Sequence, residues 1–299
     1  MNDSAAPDLP PAERWRAEAA RLGASPHHPP NHAVRNALAV VILLVATAVV
    51  VDFARRPALD WEVVWKYLFD PTVMTGIRNT LLLTVLSMAL ALVLSVVLAN
   101  MRLSGNPLLR AIAGVYVWLF RSIPLLVLLI LWFNIAIIYP RIALGIPFGP
   151  EWWATDTRNV VSGFWAAVLA FGLQQAAYTS EIIRASLLAI PTGQREAAAA
   201  LGMTKVRTFF RIIFPQAMRI AVPPISNDTI NLLKATSLAA FIAVPDLLYT
   251  VQTIYNRTYQ IIPLLLVATI WYTVFVSLLS YGQYHLERAL RRDRVGRIL

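Results

Sequence analysis

The 299-residue chain has no cysteine and only four histidines, and Asp, Glu, Lys and Arg make up 14% of it, against ~25% in an ordinary soluble domain. Without cysteine there is no disulfide scaffold, no thiolate zinc site and no iron–sulfur centre. His27, His28, His32 and His285 lie in or beside the tails, and no H-E-x-x-H, no G-x-S-x-G and no membrane-buried His–carboxylate pair can be assembled from them. An intramembrane hydrolase is thereby disfavoured, and neither a catalytic residue nor a metal ligand is expected. No G-x-x-x-x-G-K-[ST] stretch is present, so the chain has no phosphate-binding loop with which to hydrolyse ATP by itself. Short alternating strands are also missing, which excludes a porin.

What remains is apolar. Hydrophobic residues make up 58% and the mean hydropathy is +0.61. A bilayer core ~30 Å thick needs about 20 apolar residues in helical form. Six such windows occur, from Asn36 to Phe53, Ile77 to Met101, Ala111 to Tyr139, Val160 to Ile183, Ile220 to Val244 and Ile261 to Leu286. The fold class is an all-α integral membrane protein. Residues 1–35 read as a largely disordered tail with one short helix around Ala12 to Leu22. The first window starts late and is followed by Asp-Phe-Ala-Arg-Arg, so it reads as an uncleaved anchor over 36–53 and not as a signal peptide.

The net charge of +10 would suggest nucleic acid on a soluble chain. Its distribution says otherwise. With a cytoplasmic N-terminus, seventeen basic residues fall in inner segments, among them Arg14, Arg21, Arg102, Arg110, Lys205, Arg288 and Arg297, and seven in outer ones. Both termini are therefore expected inside, with 54–76 an outer connection and 287–299 a basic inner tail, and the excess reads as an orientation signal.

The longest basic inner connection holds Pro191-Thr-Gly-Gln-Arg-Glu-Ala-Ala-Ala-Ala-Leu-Gly202. Thr192 reads as an N-cap, Glu196 as a partner for the positive helix end, the four alanines as a strong helix and Gly202 as its stop. A second short helix is expected from Thr204, ended by Pro215. Spacing alone leaves open whether the first helix meets another protein or packs on this chain's own base.

Glu196-Ala197-Ala198, then Gly202, Ile212 and Phe214-Pro215, resembles the EAA motif of permease subunits of bacterial ABC importers, with Phe214 where leucine is usual. Phe120-Arg121-Ser122-Ile123-Pro124-Leu125-Leu126 resembles F-R-G-T-P-L-L, with Ser-Ile in place of Gly-Thr. Ala177-Tyr178-Thr179-Ser180-Glu181-Ile182-Ile183-Arg184-Ala185 resembles A-Y-x-x-E-I-I-R-A, and Leu233-Lys234-Ala235-Thr236-Ser237-Leu238 resembles L-K-x-T-S-L. In order, from about Gly76 to Leu290, they resemble the polar amino acid uptake branch. The resemblance implies a type I importer permease fold over 77–286, a five-helix core preceded by one extra helix, in the bacterial inner membrane. It also implies a coupling helix near 192–202 that docks on a cytoplasmic ATPase dimer through Glu196, Ala197, Ala198 and Gly202, with Gly193 and Gln194 as lead-in. ATP and magnesium would then belong to that partner and no cofactor to this chain. The further implied partners are a second permease chain, the same or homologous, an external solute-binding protein, the amino acid substrate and membrane lipid, with no nucleic acid.

Ionisable side chains at mid-bilayer cost ~2.5–3.5 kcal/mol on insertion scales, so those present should face protein or water. After Pro223-Pro224 the fifth window carries Asn227, Asp228, Thr229, Asn231 and Lys234. Asn227, Asn231 and Lys234 share one helical face, the candidate wall of a translocation path, while Leu232, Leu233, Leu238 and Phe241 are left for lipid or neighbouring helices. Helix-to-helix hydrogen bonding is the structural alternative for these polar groups. Arg121 has two readings, a partner for the substrate carboxylate or for a buried carboxylate or helix C-terminus, of which the second is preferred. Thr80 is a weaker pathway candidate. Glu181 and Arg184 read as a scaffold ion pair. Trp61, Trp65, Tyr67, Trp152, Trp153 and Tyr255 read as interfacial anchors, and the loop from Pro140 to Asn159 as the part nearest a docked binding protein. The rival from another class is a nucleotide-independent secondary transporter or channel for small polar solutes. Inverted repeats would favour it, and none is visible.

Overall fold

The computed structural model describes Pro10, Glu13, Trp15, Arg16 and residues 32–146 and 151–295. Most of the 1–35 tail, with Arg14, Arg21 and nearly all of the expected Ala12–Leu22 helix, lies outside the described residues, as do residues 147–150 of the outer loop and Arg297. The chain divides into two units, Met1–Pro57 and Ala58–Leu299.

In the first unit α1, His32–Ala54, is apolar on every side, and its valines, leucines and isoleucine are exposed. A helix with no polar stripe has no face to prefer, which suits a single span surrounded by hydrocarbon. Near its C-terminal end Asp52 and Arg56 pair at 2.6 Å.

The second unit begins with α2, Trp61–Leu68, and α3, Pro71–Leu103. Asp70 starts α3 by accepting the Thr72 N–H at 2.8 Å, with Pro71 in the first turn where its missing N–H is harmless. The helix therefore begins six residues before the Ile77 expected from hydropathy. The third window does not form one span. It splits at Ile123–Pro124 into α4, Pro107–Ser122, and α5, Leu125–Phe133, which meet at 102°. Pro124 cannot donate to the preceding turn, and Ile123 before it is extended, so the chain leaves the helix and restarts in a new direction. A short turn α6, Ile135–Ile138, leads to an antiparallel hairpin of β1, Arg141–Gly145, and β2, Glu151–Asp156, the one departure from an all-helical plan among the described residues. It is followed by the single turn α7, Thr157–Val160.

Helix α8, Gly163–Leu188, is the hub, packed against α3, α4, α5 and the later α11. Its buried Ala166, Ala167, Ala170, Gly172, Ala176 and Ala177 let neighbouring backbones come close. It is not apolar enough to qualify as a span by composition. Among the described residues three helices qualify, or five if each bent pair counts as one. Helix α8 coincides with the fourth apolar window, and its Gln174, Gln175, Thr179, Ser180 and Glu181 face protein and need no hydrophobic mask.

Next come α9, Thr192–Ala200, α10, Lys205–Thr208, a π-helical turn Phe209–Ile213 and α11, Phe214–Ala235. Pro215 does not end a helix as expected. The wide π turn, in which the Phe214 N–H reaches back to the Phe209 carbonyl, carries the chain straight into α11 with Pro215 in its first turn. A 3-10 stretch, Thr236–Ile242, then leads to α12, Leu247–Thr258, bent by 46°, and α13, Ile261–Val295, longer than the window ending at Leu286. One apolar cluster centres on α3, α5 and α8 through Leu83, Leu129, Val168 and Phe171. A second joins α2, α3, α12 and α13 through Val64, Val73, Leu247 and Leu264, and there the Trp271 indole donates to the Leu68 carbonyl at 2.8 Å.

Candidate functional site

Two regions of the second unit carry the residues singled out by sequence. The first is α9. Its N-cap is Pro191, with no side-chain bond, so Thr192 is the first helical residue and not the expected cap. Its C-terminal stop is fully formed. Gly202 has φ +69°, its N–H reaches the Ala199 carbonyl at 2.9 Å, and the Met203 N–H reaches that of Ala198 at 3.0 Å. This double bond pattern satisfies the last carbonyls and needs a residue that tolerates positive φ. Gly193, Gln194, Glu196, Ala197 and Gly202 are exposed, whereas Ala198 is buried and seats the helix. Ala198 therefore does not belong to an outward contact surface. Leu201 is 80% exposed, and Val206 and Phe210 beyond it are exposed to a lesser degree. No periodicity marked Leu201, because it lies one residue past the alanine run. The Gln216 amide donates to the Ile212 carbonyl at 2.9 Å and to the Gln194 side chain at 3.4 Å, tying the start of α9 to α11.

Just above this helix, Arg184 donates to Glu181 at 2.7 Å and Arg102 of α3 reaches the other carboxylate oxygen at 3.3 Å. The cluster joins α3 and α8 at one end of the unit, the end from which α9 leaves. Arg102 had counted only as an orientation marker.

The second region is the polar face of α11. Asn227, Asn231 and Lys234 are all exposed and lie along one side. Asp228 and Thr229 do not join them. Asp228 turns to α8, where it accepts the Gln175 amide at 3.0 Å, and Thr229 bonds the Ile225 carbonyl at 2.9 Å and lines a groove with Leu278 and Gly282 of α13. Leu232 and Leu233 are buried, while Phe241 is 68% exposed. Thr80 does not line an open path either. It is fully buried, and its hydroxyl accepts the Leu247 N–H at 3.0 Å at the start of α12. Beside it lies Asp246, also fully buried, which caps α12 through the Tyr249 N–H at 2.8 Å and receives the Tyr272 hydroxyl at 3.4 Å.

Arg121 lies in the last turn of α4. None of the ion pairs among the described residues includes it. Its guanidinium lies over the Tyr178 ring at 5.0 Å, in an open cavity of about 450 Å³ shared with Arg102 and Trp118. The helix break next to it is held by α8, where Gln174 donates to the Ile123 carbonyl at 2.8 Å and the Leu173 carbonyl accepts the Tyr116 hydroxyl at 2.9 Å. Adjacent glutamines on one helix thus fasten two walls, Gln174 the break and Gln175 the polar helix. Sequence reasoning passed over both because it counted charges, and the available signal was a pair of amides inside an apolar window. Asp246 was missed likewise, though Pro245-Asp246 before Leu-Leu is a helix-start signature.

A family model described as the binding-protein-dependent transport system inner membrane component matches residues 91–292, and the chain belongs to that family. It is a permease subunit of an ABC importer, a multi-pass inner-membrane transport component. The arginine transport system permease protein ArgU of Corynebacterium glutamicum is 39% identical over 87% of this chain and 81% of its own length. The L-cystine transport system permease protein TcyB of Bacillus subtilis is 39% identical over 79% of this chain and 93% of its own. The crystal structure of an amino acid ABC transporter with histidines superposes with TM-score 0.63 at 28% identity, covering 74% of this chain and 95% of that one. The MetNI methionine ABC transporter shares the fold at 21% identity and TM-score 0.57, over 73% of this chain and 96% of its own.

Proposed function

We propose that this permease imports polar amino acids, drawing energy through α9 from a separate ATPase dimer that binds ATP and magnesium. The observation that carries the coupling role is α9 itself, a nine-residue helix with one small residue seated inward, its remaining length exposed and its end fixed by Gly202. A short, rigid, outward-facing helix can transmit displacement from a partner without unfolding. The relatives named for arginine, cystine and histidine support the substrate class. The exposed Asn227, Asn231 and Lys234 face offers hydrogen-bond donors and acceptors along one side of α11, as passage of a zwitterion requires.

In this reading ATP binding closes the ATPase dimer, draws two coupling helices together and opens the path outward, and hydrolysis reverts it. A second permease chain completes the path about a two-fold or pseudo-two-fold axis, and an external solute-binding protein delivers substrate. Both termini lie on the cytoplasmic side. The test is reconstitution with the ATPase and binding protein and a panel of L-arginine, L-cystine, L-histidine and L-glutamine. The expected result is ATP-dependent uptake of at least one of them with stimulated ATP hydrolysis. Uptake that persists without the ATPase would overturn the reading.

A further inference from the structure

The Arg102–Glu181 contact fixes one end of the α3–α8 pair as the α9 end, so the start of α3 at Asp70 lies at the opposite end of the unit. There the α2–α3 junction and one side of α12 line a half-open cavity of about 390 Å³, within the ~300–1,000 Å³ range of small-molecule sites. Tyr249, Thr253 and Arg257 recur every fourth residue and so form one stripe along α12, and Tyr67 and Asp70 form part of the facing wall. Asp70 uses one carboxylate oxygen to cap α3 through the Thr72 N–H. Arg257 lies in the last turn of α12 and is exposed. The two opposite charges line the same cavity, yet no ion pair joins them. A cavity whose lining includes one anion and one cation that are not paired with each other, together with the hydroxyl-bearing Tyr249 and Thr253, is complementary to a small dipolar molecule.

We propose that this outer cavity is a holding site for the zwitterionic part of an amino acid, with its ammonium group at Asp70 and its carboxylate at Arg257. The inference rests on the importer reading above, since that reading supplies the amino acid at this side of the membrane. The site reads only the two charges common to all α-amino acids, so it is indifferent to the side chain and lies apart from the α11 face. It would keep a released substrate near the entrance while the path opens.

The test uses the permease–ATPase complex in lipid nanodiscs without binding protein, titrated with radiolabelled L-glutamine, N-acetyl-L-glutamine and L-glutamine carboxamide. Asp70→Asn retains the helix cap while removing the charge, and Arg257→Gln changes an exposed side chain. The wild-type complex should bind L-glutamine about tenfold or more tightly than either blocked form, the factor expected from one lost charge-assisted hydrogen bond. Asp70→Asn should abolish discrimination against the N-acetyl form alone, and Arg257→Gln discrimination against the carboxamide alone. Wild-type binding that does not distinguish the three probes, or variants that keep both preferences, would overturn the proposal. So would variants that weaken docking of the binding protein and leave amino acid binding intact. The importer reading fails in a different measurement, the ATP dependence of uptake, so the two can fall separately.

Discussion

Gly202 holds φ +69° with open space where a Cβ would stand, so the penalty for replacing it is conformational and not steric. A left-handed residue other than glycine costs roughly 1–2 kcal/mol. Gly202→Ala should therefore loosen the end of α9 and lower uptake per ATP hydrolysed, while Gly202→Asp adds a charge to the exposed surface and should uncouple uptake with insertion intact. The ratio of uptake to ATP hydrolysis, with membrane abundance as control, checks both, and normal coupling in Gly202→Asp would be evidence against docking through α9. Gln175 and Asp228 give a second contrast. Gln175→Leu removes the amide at 3.0 Å from a half-buried carboxylate, at a cost of about 1–3 kcal/mol for the orphaned acceptor. Asp228→Asn preserves a polar partner for Gln175 and should lower the thermal midpoint of the purified complex less than Gln175→Leu does.

Among the elements, the close approach of α3 and α12 depends on Gly76. A Cβ there would lie 2.7 Å from the Thr250 hydroxyl and 2.9 Å from the Asp246 carbonyl, and the latter is backbone that cannot swing aside. Gly76→Ala should push α12 away and destabilise the complex by ~1–3 kcal/mol, seen as a lower thermal midpoint. An unchanged midpoint would mean that α12 moves freely. The break between α4 and α5 behaves differently. Pro124 was legible as a disturbance in the sequence, but the 102° turn was not, because its direction depends on which side chain takes up the freed Ile123 carbonyl. That side chain is Gln174, fifty-one residues away. Gln174→Leu should relax the break and reduce uptake more than it reduces the amount of protein inserted. Transport assays paired with immunoblots of membranes would separate the two effects.

For the whole molecule, the absence of cysteine makes topology directly testable. Single cysteines placed by Ser104→Cys and Trp152→Cys should label from opposite sides of the membrane with an impermeant maleimide, Ser104→Cys from the cytoplasmic side. Labelling of both from one side would reverse the orientation drawn from the basic residues. The same chain-wide view explains why one expected span is not apolar enough by composition. Helix α8 is packed against α3, α4, α5 and α11, so Gln174, Gln175 and Thr179 are satisfied by protein.

The sequence by itself determined the bulk features, because each depends on composition or short-range pattern. Apolar runs long enough to cross a bilayer, a basic bias between loops, and an alanine helix closed by Gly202 are all readable within a few turns of chain. Only the tertiary structure decided which polar groups meet. Asp228 turning to Gln175 and away from Asn227, Thr80 sealed under Leu247, Arg121 resting on Tyr178, and Asp70 brought to one cavity with Arg257 all join residues far apart in the chain. A buried hydrogen-bonding group must find its partner wherever packing places one. That partner is set by how the helices cross, which no local periodicity records.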